Sequence, residues 1–258
     1  MLERVDRQTF LAEIWDYSPG QHVLFSEPTQ GGKSTLAFQL LEVTDPLNRH
    51  MKPPIALIMK PRDNVPAEWV KRLGWREVQT WPPSPSLLHG SPPGYALWPK
   101  HELGLTRESL DRTNANLAHQ FRRALLDTYK GGDRVVFADE IYGLLAELDL
   151  QEELTALWTR GGGMGAGLWS ATQKASGTTQ ASIPGHAFNS PTHLFLGRDP
   201  DKRARDRAAE IGGIDPQFIA DTIAHLKVNR IETPYGMKAV SDKLYLNKLG
   251  PYAVIVGP

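Results

Sequence analysis

The chain has 258 residues, 40% hydrophobic and 22% charged, with 29 Lys+Arg against 29 Asp+Glu and no cysteine. That length suits one α/β domain with a large core. The zero net charge argues against a surface broadly coated for nucleic acid, and the missing cysteines exclude disulfides and thiolate metal sites.

The start, MLERVDRQTFLAEIWDY, is charged and amphipathic and has no secretory apolar core, and no apolar run approaches the ~20 residues of a membrane span. The expectation is a cytoplasmic protein without membrane insertion, folded as a single domain over 1–258. An N-terminal helix lies within 1–19, a core covers 20–213, and a helix and hairpin complete 214–258.

Residues 22–41, HVLFSEPTQGGKSTLAFQLL, read as a buried strand, a tight Gly-rich turn and an amphipathic helix. Val23-Leu24-Phe25 is apolar and β-prone, and Leu36, Ala37, Leu40 and Leu41 repeat at helical spacing. A phosphate-binding loop requires that order, which points to a nucleoside triphosphate as ligand. Thr29, Gln30, Gly31, Gly32, Lys33, Ser34 and Thr35 are the candidate contacts, with N–H groups from Gln30 to Ser34 facing the phosphates at the positive end of the helix. Lys33 supplies a point charge and Ser34 a hydroxyl for Mg²⁺. One departure stands out: Glu27 occupies the place where G-x-x-x-x-G-K-[ST] begins with glycine. A ligand-free strand-turn-helix has the same local pattern, so the rest of the chain must decide.

Ile55-Ala56-Leu57-Ile58-Met59 is a second core strand, ending in Lys60-Pro61-Arg62. A short helix over 67–73 and a strand near 77–80 follow. Residues 81–99 hold six prolines and read as loop or edge strand. A long amphipathic helix over 107–130 leads into Arg134-Val135-Val136-Phe137-Ala138-Asp139-Glu140, an apolar run ending in two carboxylates. Neighbouring strand residues point to opposite faces, so the two acids divide the labour. Asp139 is the candidate Mg²⁺ ligand, through water, and Glu140 the candidate base for the attacking water. A helix over 141–158 comes next, then Gly167 to Gln173, a third strand whose end places Thr172 and Gln173 on the same sheet edge. That edge is where open α/β sheets bind ligands.

The order SEPTQGGKST, VVFADE, TRGGGMGAGLWSATQ and IPGHAFNSPTHLFLGRDPDKRARDRAAEIGG resembles the FtsK/HerA superfamily of P-loop ATPases. More narrowly it is similar to compact FtsK-like DNA translocases and packaging ATPases of bacterial viruses, over roughly 20–213. The resemblance implies ATP-driven movement of double-stranded DNA by a homo-oligomeric ring, in viral DNA packaging or delivery. It implies a capsid portal or membrane-vertex protein as partner and a host-cytoplasmic or virion-associated location. It also implies an arginine completing the neighbouring subunit's site: Arg160 is the candidate, with Arg203 and Arg205 as alternatives. Lys71, Arg72, Lys100 and His101 are candidate DNA contacts. A nucleotide-gated assembly factor without motor activity is the alternative function, and a small-molecule kinase is disfavoured because no lid or acceptor motif is visible.

The fold expected is α/β: a RecA-like P-loop NTPase of the additional-strand, catalytic-glutamate kind. Its mostly parallel sheet has five or more strands and helices on both faces, and the Ala171-Thr172-Gln173 strand lies between those ending at Lys33 and Asp139. Residues 161–166, GGGMGA, fit a dinucleotide fingerprint but follow a helix and precede a strand, the wrong order; a mobile loop is expected there. The eight histidines form no metal-ligand pair on a helix face, and Ser170 and Ser176 lack a nucleophile-elbow frame. The helical stretch 200–226 breaks at Gly212-Gly213, and 243–256 alternates like a hairpin turning at Gly250-Pro251.

Overall fold

A computed structural model describes residues 2–28, 31–44, 50–85, 90–173, 190–233, 236–250 and 252–258. The chain opens with a two-residue strand, β1 (Arg4–Val5), and a helical turn, α1 (Arg7–Thr9), that runs on through a π-type turn, Phe10–Ile14. Asp6 caps it, its carboxylate accepting from the N–H groups of Gln8 and Thr9 at 2.9 Å each. Then come β2 (His22–Ser26), α2 (Lys33–Thr44), β3 (Ile55–Leu57), α3 (Asn64–Arg72), β4 (Arg76–Val78) and β5 (Tyr95–Leu97). The middle of the chain holds α4 (Arg107–Gly131), β6 (Arg134–Ala138), α5 (Ile141–Ala146), α6 (Gln151–Ala156), β7 (Ala166–Thr172) and β8 (Pro191–Leu196). It closes with α7 (Lys202–Gly212), α8 (Pro216–Ala224), β9 (Val228–Thr233), β10 (Gly236–Ser241), β11 (Lys243–Asn247) and β12 (Tyr252–Val256).

Ten strands form one sheet in the order β1-β12-β11-β8-β2-β7-β6-β3-β5-β4, and β9 and β10 pair separately. Every neighbour pair is parallel except the two that β11 makes, with β8 and β12. As expected, β7 is inserted between β2 and β6, with Ser26 opposite Thr172 and Ala138 opposite Ser170.

Strand side chains alternate between two cores, as the period of two requires. Val23, Phe25, Val135, Phe137, Trp169, Phe195 and Tyr245 join Phe10, Trp15 and the buried residues of α2 and α3 on one face. Leu24, Val136, Ala138, Leu168, Leu194, Leu244 and Leu246 join α4, α5, α6, α7 and α8 on the other. The central strands are therefore buried on both faces, which is why they read as nearly continuous apolar runs.

Several expectations need correction. Tyr95–Leu97 is an internal strand between β3 and β4, not loop or edge; its prolines lie outside it, and its first N–H is free to donate to the Pro54 carbonyl at 2.8 Å. The helix expected over 141–158 is two short helices, because Asp149 takes the left-handed conformation at φ 51°, which Asp tolerates better than most residues. The glycine stretch after it takes regular turns. Leu157–Gly161 forms a π-type turn and Gly162–Met164 a 3₁₀ turn, ending at left-handed Gly165. The break near 212–213 and the closing hairpin β11–β12 are as expected, while the hairpin β9–β10 went unread.

Candidate nucleotide site

The C-terminal ends of β2, β6 and β7 bring the polar residues together. Glu27 prolongs β2, its N–H donating to the Thr172 carbonyl at 3.1 Å. The loop then turns through Gly32, at φ 95°, a conformation that favours glycine, and α2 starts at Lys33. Thr29 and Gln30 lie outside the described residues. Lys33 Nζ donates to the carbonyl oxygens of Glu27 and Pro28 at 2.6 and 3.1 Å, so its ammonium sits inside the loop rather than in solvent. Burial lowers its pKa, with Glu27, Glu140 and Asp139 working against the fall.

The Ser34 hydroxyl donates to Asp139 Oδ1 across 105 residues of sequence. The Asp139 carboxyl is pushed above the usual carboxylate range by burial, partly offset by that hydrogen bond. Glu140 is raised by burial too, offset first by Gln173, whose amide donates to Glu140 Oε2 at 2.9 Å. The other oxygen, Glu140 Oε1, is buried with no partner among the described residues. An aligned serine hydroxyl and carboxylate, an ammonium among carbonyls and an unpartnered carboxylate oxygen fit a Mg²⁺–triphosphate group.

Three participants escaped the sequence. Lys60, just past β3, bonds Asp63 Oδ2 at 2.9 Å. Burial opposes its charge, but Asp63, Asp139 and Glu140 together hold its pKa above the ordinary lysine value. The lysine at the end of an apolar strand was the available signal. A cleft of about 600 Å³ beside the loop is lined by Arg7, Gly31, Gly32, Thr35, Gln39 and Ser241 among others. Arg7 spans it, donating to Gln39 Oε1 and the Gly257 carbonyl at 3.1 Å each. Lys243, on β11, is buried and paired with Glu27, a contact of 216 residues' separation that no local pattern reveals.

Arg160 does not join these groups. It is exposed in the turn before β7, at the N-terminal edge of the sheet, its guanidinium 5.2 Å from the Tyr129 ring. Arg203 is an exposed residue of α7, and Arg205 folds back onto the carbonyls of Asp199 and Pro200 at 2.9 and 2.7 Å. Of the candidate DNA contacts, Lys71 and Arg72 form the last turn of α3, and Arg72 is bound to Glu42 at 3.0 Å. Ser176 and the asparagine-containing stretch up to 189 lie outside the described residues.

No helix among the described residues is long and apolar enough to cross a membrane. No protein family of known sequence signature and no curated protein matches the chain. Solved structures do. The genome packaging NTPase of Sulfolobus turreted icosahedral virus 2 with AMPPCP superposes with a TM-score of 0.53 at 14% identity, covering 94% of this chain and 100% of that one. The DNA-packaging ATPase of Sulfolobus turreted icosahedral virus gives 0.55 at 15%, covering 94% and 99%. The cytoplasmic domain of the type VII secretion ATPase EccC from Thermomonospora curvata gives 0.50 at 15%, covering 96% and 26%. The chain therefore has the mostly parallel, helix-flanked fold of P-loop ATPases, and viral genome-packaging enzymes stand among its structural neighbours.

Proposed function

We propose that this chain is a Mg²⁺-dependent ATPase that works as a homo-oligomeric ring to move double-stranded DNA, in viral genome packaging or delivery. The observation that carries hydrolysis is the convergence of Ser34 on Asp139 and of Gln173 on Glu140 at one sheet edge. Ser34 and Asp139 would hold the metal, which would neutralise charge on the triphosphate. Lys33 exchanges its two loop carbonyls for phosphate oxygens. Glu140, made more basic by burial, takes the proton of the attacking water, and Gln173 fixes the carboxylate in place. Arg160 serves the neighbouring subunit, where it meets charge developing on the γ-phosphate.

The DNA reading rests on fold. The viral packaging ATPases align over 94% of this chain, and a ring lets each neutral subunit contribute a few cations to a central pore. The zero net charge favours the second reading, a nucleotide-gated assembly factor that moves nothing. Steady-state ATP turnover with and without duplex DNA separates them. Stimulation by DNA is the expected result; turnover indifferent to DNA favours the assembly factor, and no turnover under either condition refutes the enzyme.

A further inference from the structure

Resting on the assignment of 27–34 as a phosphate loop, we infer that Lys243 is a positioning residue for nucleotide binding, tethering from β11 a loop that begins with glutamate instead of glycine. Lys243 Nζ donates to Glu27 Oε1 at 2.6 Å, to the Gly31 carbonyl at 2.8 Å and to the Ser241 carbonyl at 3.2 Å. All three protons of the ammonium are used, and two of them hold the two ends of the turn. Both side chains are almost wholly buried, at 2% and 4% exposure.

The glycines complete the picture. A Cβ on Gly31 would collide with the Glu27 carboxylate, and one on Gly197, just past β8, would meet the Glu27 side chain as well. The space that glycine at 27 would leave open is filled by the glutamate, and the need for glycine moves to 31 and 197. A loop with a side chain at its first position must be pulled into shape, and Lys243 supplies the pull. The second oxygen, Glu27 Oε2, has no hydrogen-bond partner among the described residues; Lys243 is the cation bonded to the carboxylate, while Arg7 and Lys33 feel its charge from further off. Removing either member of a buried pair strands the other charge and destabilises the fold, so a loss of fold must be separated from a loss of positioning.

Neutral double variants make that separation. Glu27→Gln with Lys243→Met removes both charges but leaves a side chain under the loop with nothing to tether it. Glu27→Gly with Lys243→Met removes both charges and restores the ordinary glycine. Binding of a fluorescent ATPγS derivative is titrated against each protein, together with the parent and Lys33→Ala, and thermal midpoints report folding. The expected result is an affinity about ten-fold or more weaker for the glutamine variant, the equivalent of one lost charged hydrogen bond. The glycine variant should return to within about three-fold of the parent, although both doubles lose the same ion pair. Equal affinities for the two doubles in a parent that binds, and that Lys33→Ala impairs, overturn the positioning role while leaving the phosphate loop standing. A parent that binds no nucleotide overturns both.

Discussion

Lowering the pH from 7.5 to 5 should strip roughly 4 kcal/mol from the folded chain through two histidines alone. His22 Nδ1 accepts from the Leu168 N–H at 2.9 Å in the middle of the sheet. His193 lies between the Tyr245 hydroxyl and Gln21 Oε1, 2.8 Å from each, with the Trp15 ring centroid 4.7 Å away. Burial pushes both rings down to a pKa of about 4 from the ordinary 6.5. The unfolded chain takes up these protons near 6.5 and the folded chain only near 4. The stability is therefore whole above 6.5 and drains away as the pH falls from 6.5 to 4. At pH 5 each histidine accounts for about 2 kcal/mol, and the two together lower the melting temperature by roughly 10 °C. Asp139 and Glu140, raised by burial, gain protons more readily when folded and return part of the loss towards the acid end. Comparing the pH slope of urea-unfolding free energy between the parent and His193→Gln isolates one ring. The parent should lose about 2 kcal/mol more than the variant between pH 7.5 and 5. Parallel slopes would refute the argument that a buried neutral ring stands at 193.

Two predictions concern chemistry. Glu140→Gln should keep ATP affinity and lose about 10²–10⁴-fold in turnover, whereas Lys33→Ala should weaken binding itself; parent-rate hydrolysis by Glu140→Gln removes it as the base. Arg160→Ala should bind ATP yet lose about 10³-fold or more of DNA-stimulated hydrolysis, and mixing it with Lys33→Ala subunits should restore part of it; assembled mixed rings that stay inactive return the assignment to Arg203 or Arg205.

The fold was legible where burial on both faces writes an apolar run. Val23-Leu24-Phe25, Val135-Val136-Phe137 and Leu168-Trp169 announce β2, β6 and β7 without any long-range knowledge. The strands missed or misplaced are short or sit among breakers. Tyr95–Leu97 has three residues flanked by prolines, and β9–β10 lies in the stretch between a helix and the closing hairpin. The break at Asp149 was invisible because the apolar residues on both sides keep a helical spacing, while the backbone there is decided by packing. At the site, every group drawn from a strand end was found where the strand ends meet, since parallel topology alone brings C-termini together. What a strand end cannot announce is its partner from another part of the chain. Lys243 reads as the first residue of a hairpin, and only the folded sheet sets it under the loop at Glu27.

The same topology decides what one subunit can do alone. Arg160 precedes β7 and Gln173 follows it; seven strand residues at ~3.3 Å each put roughly 20 Å of sheet between the arginine and its own Glu140. No rotamer of an arginine covers that distance, and the turn holding Arg160 is fixed from both sides, Gly162 lying against Gly20 and Gly165 against Asp133. Under the proposed function, each site has its metal ligands, base and polar clamp from one chain and must take its finger from the next. An isolated subunit would then hold ATP and turn it over slowly. Turnover per subunit should rise with protein concentration as rings form, in the range where sedimentation shows assembly. A rate per subunit that stays constant across that range would place a complete site within a single chain and remove the reason for the ring.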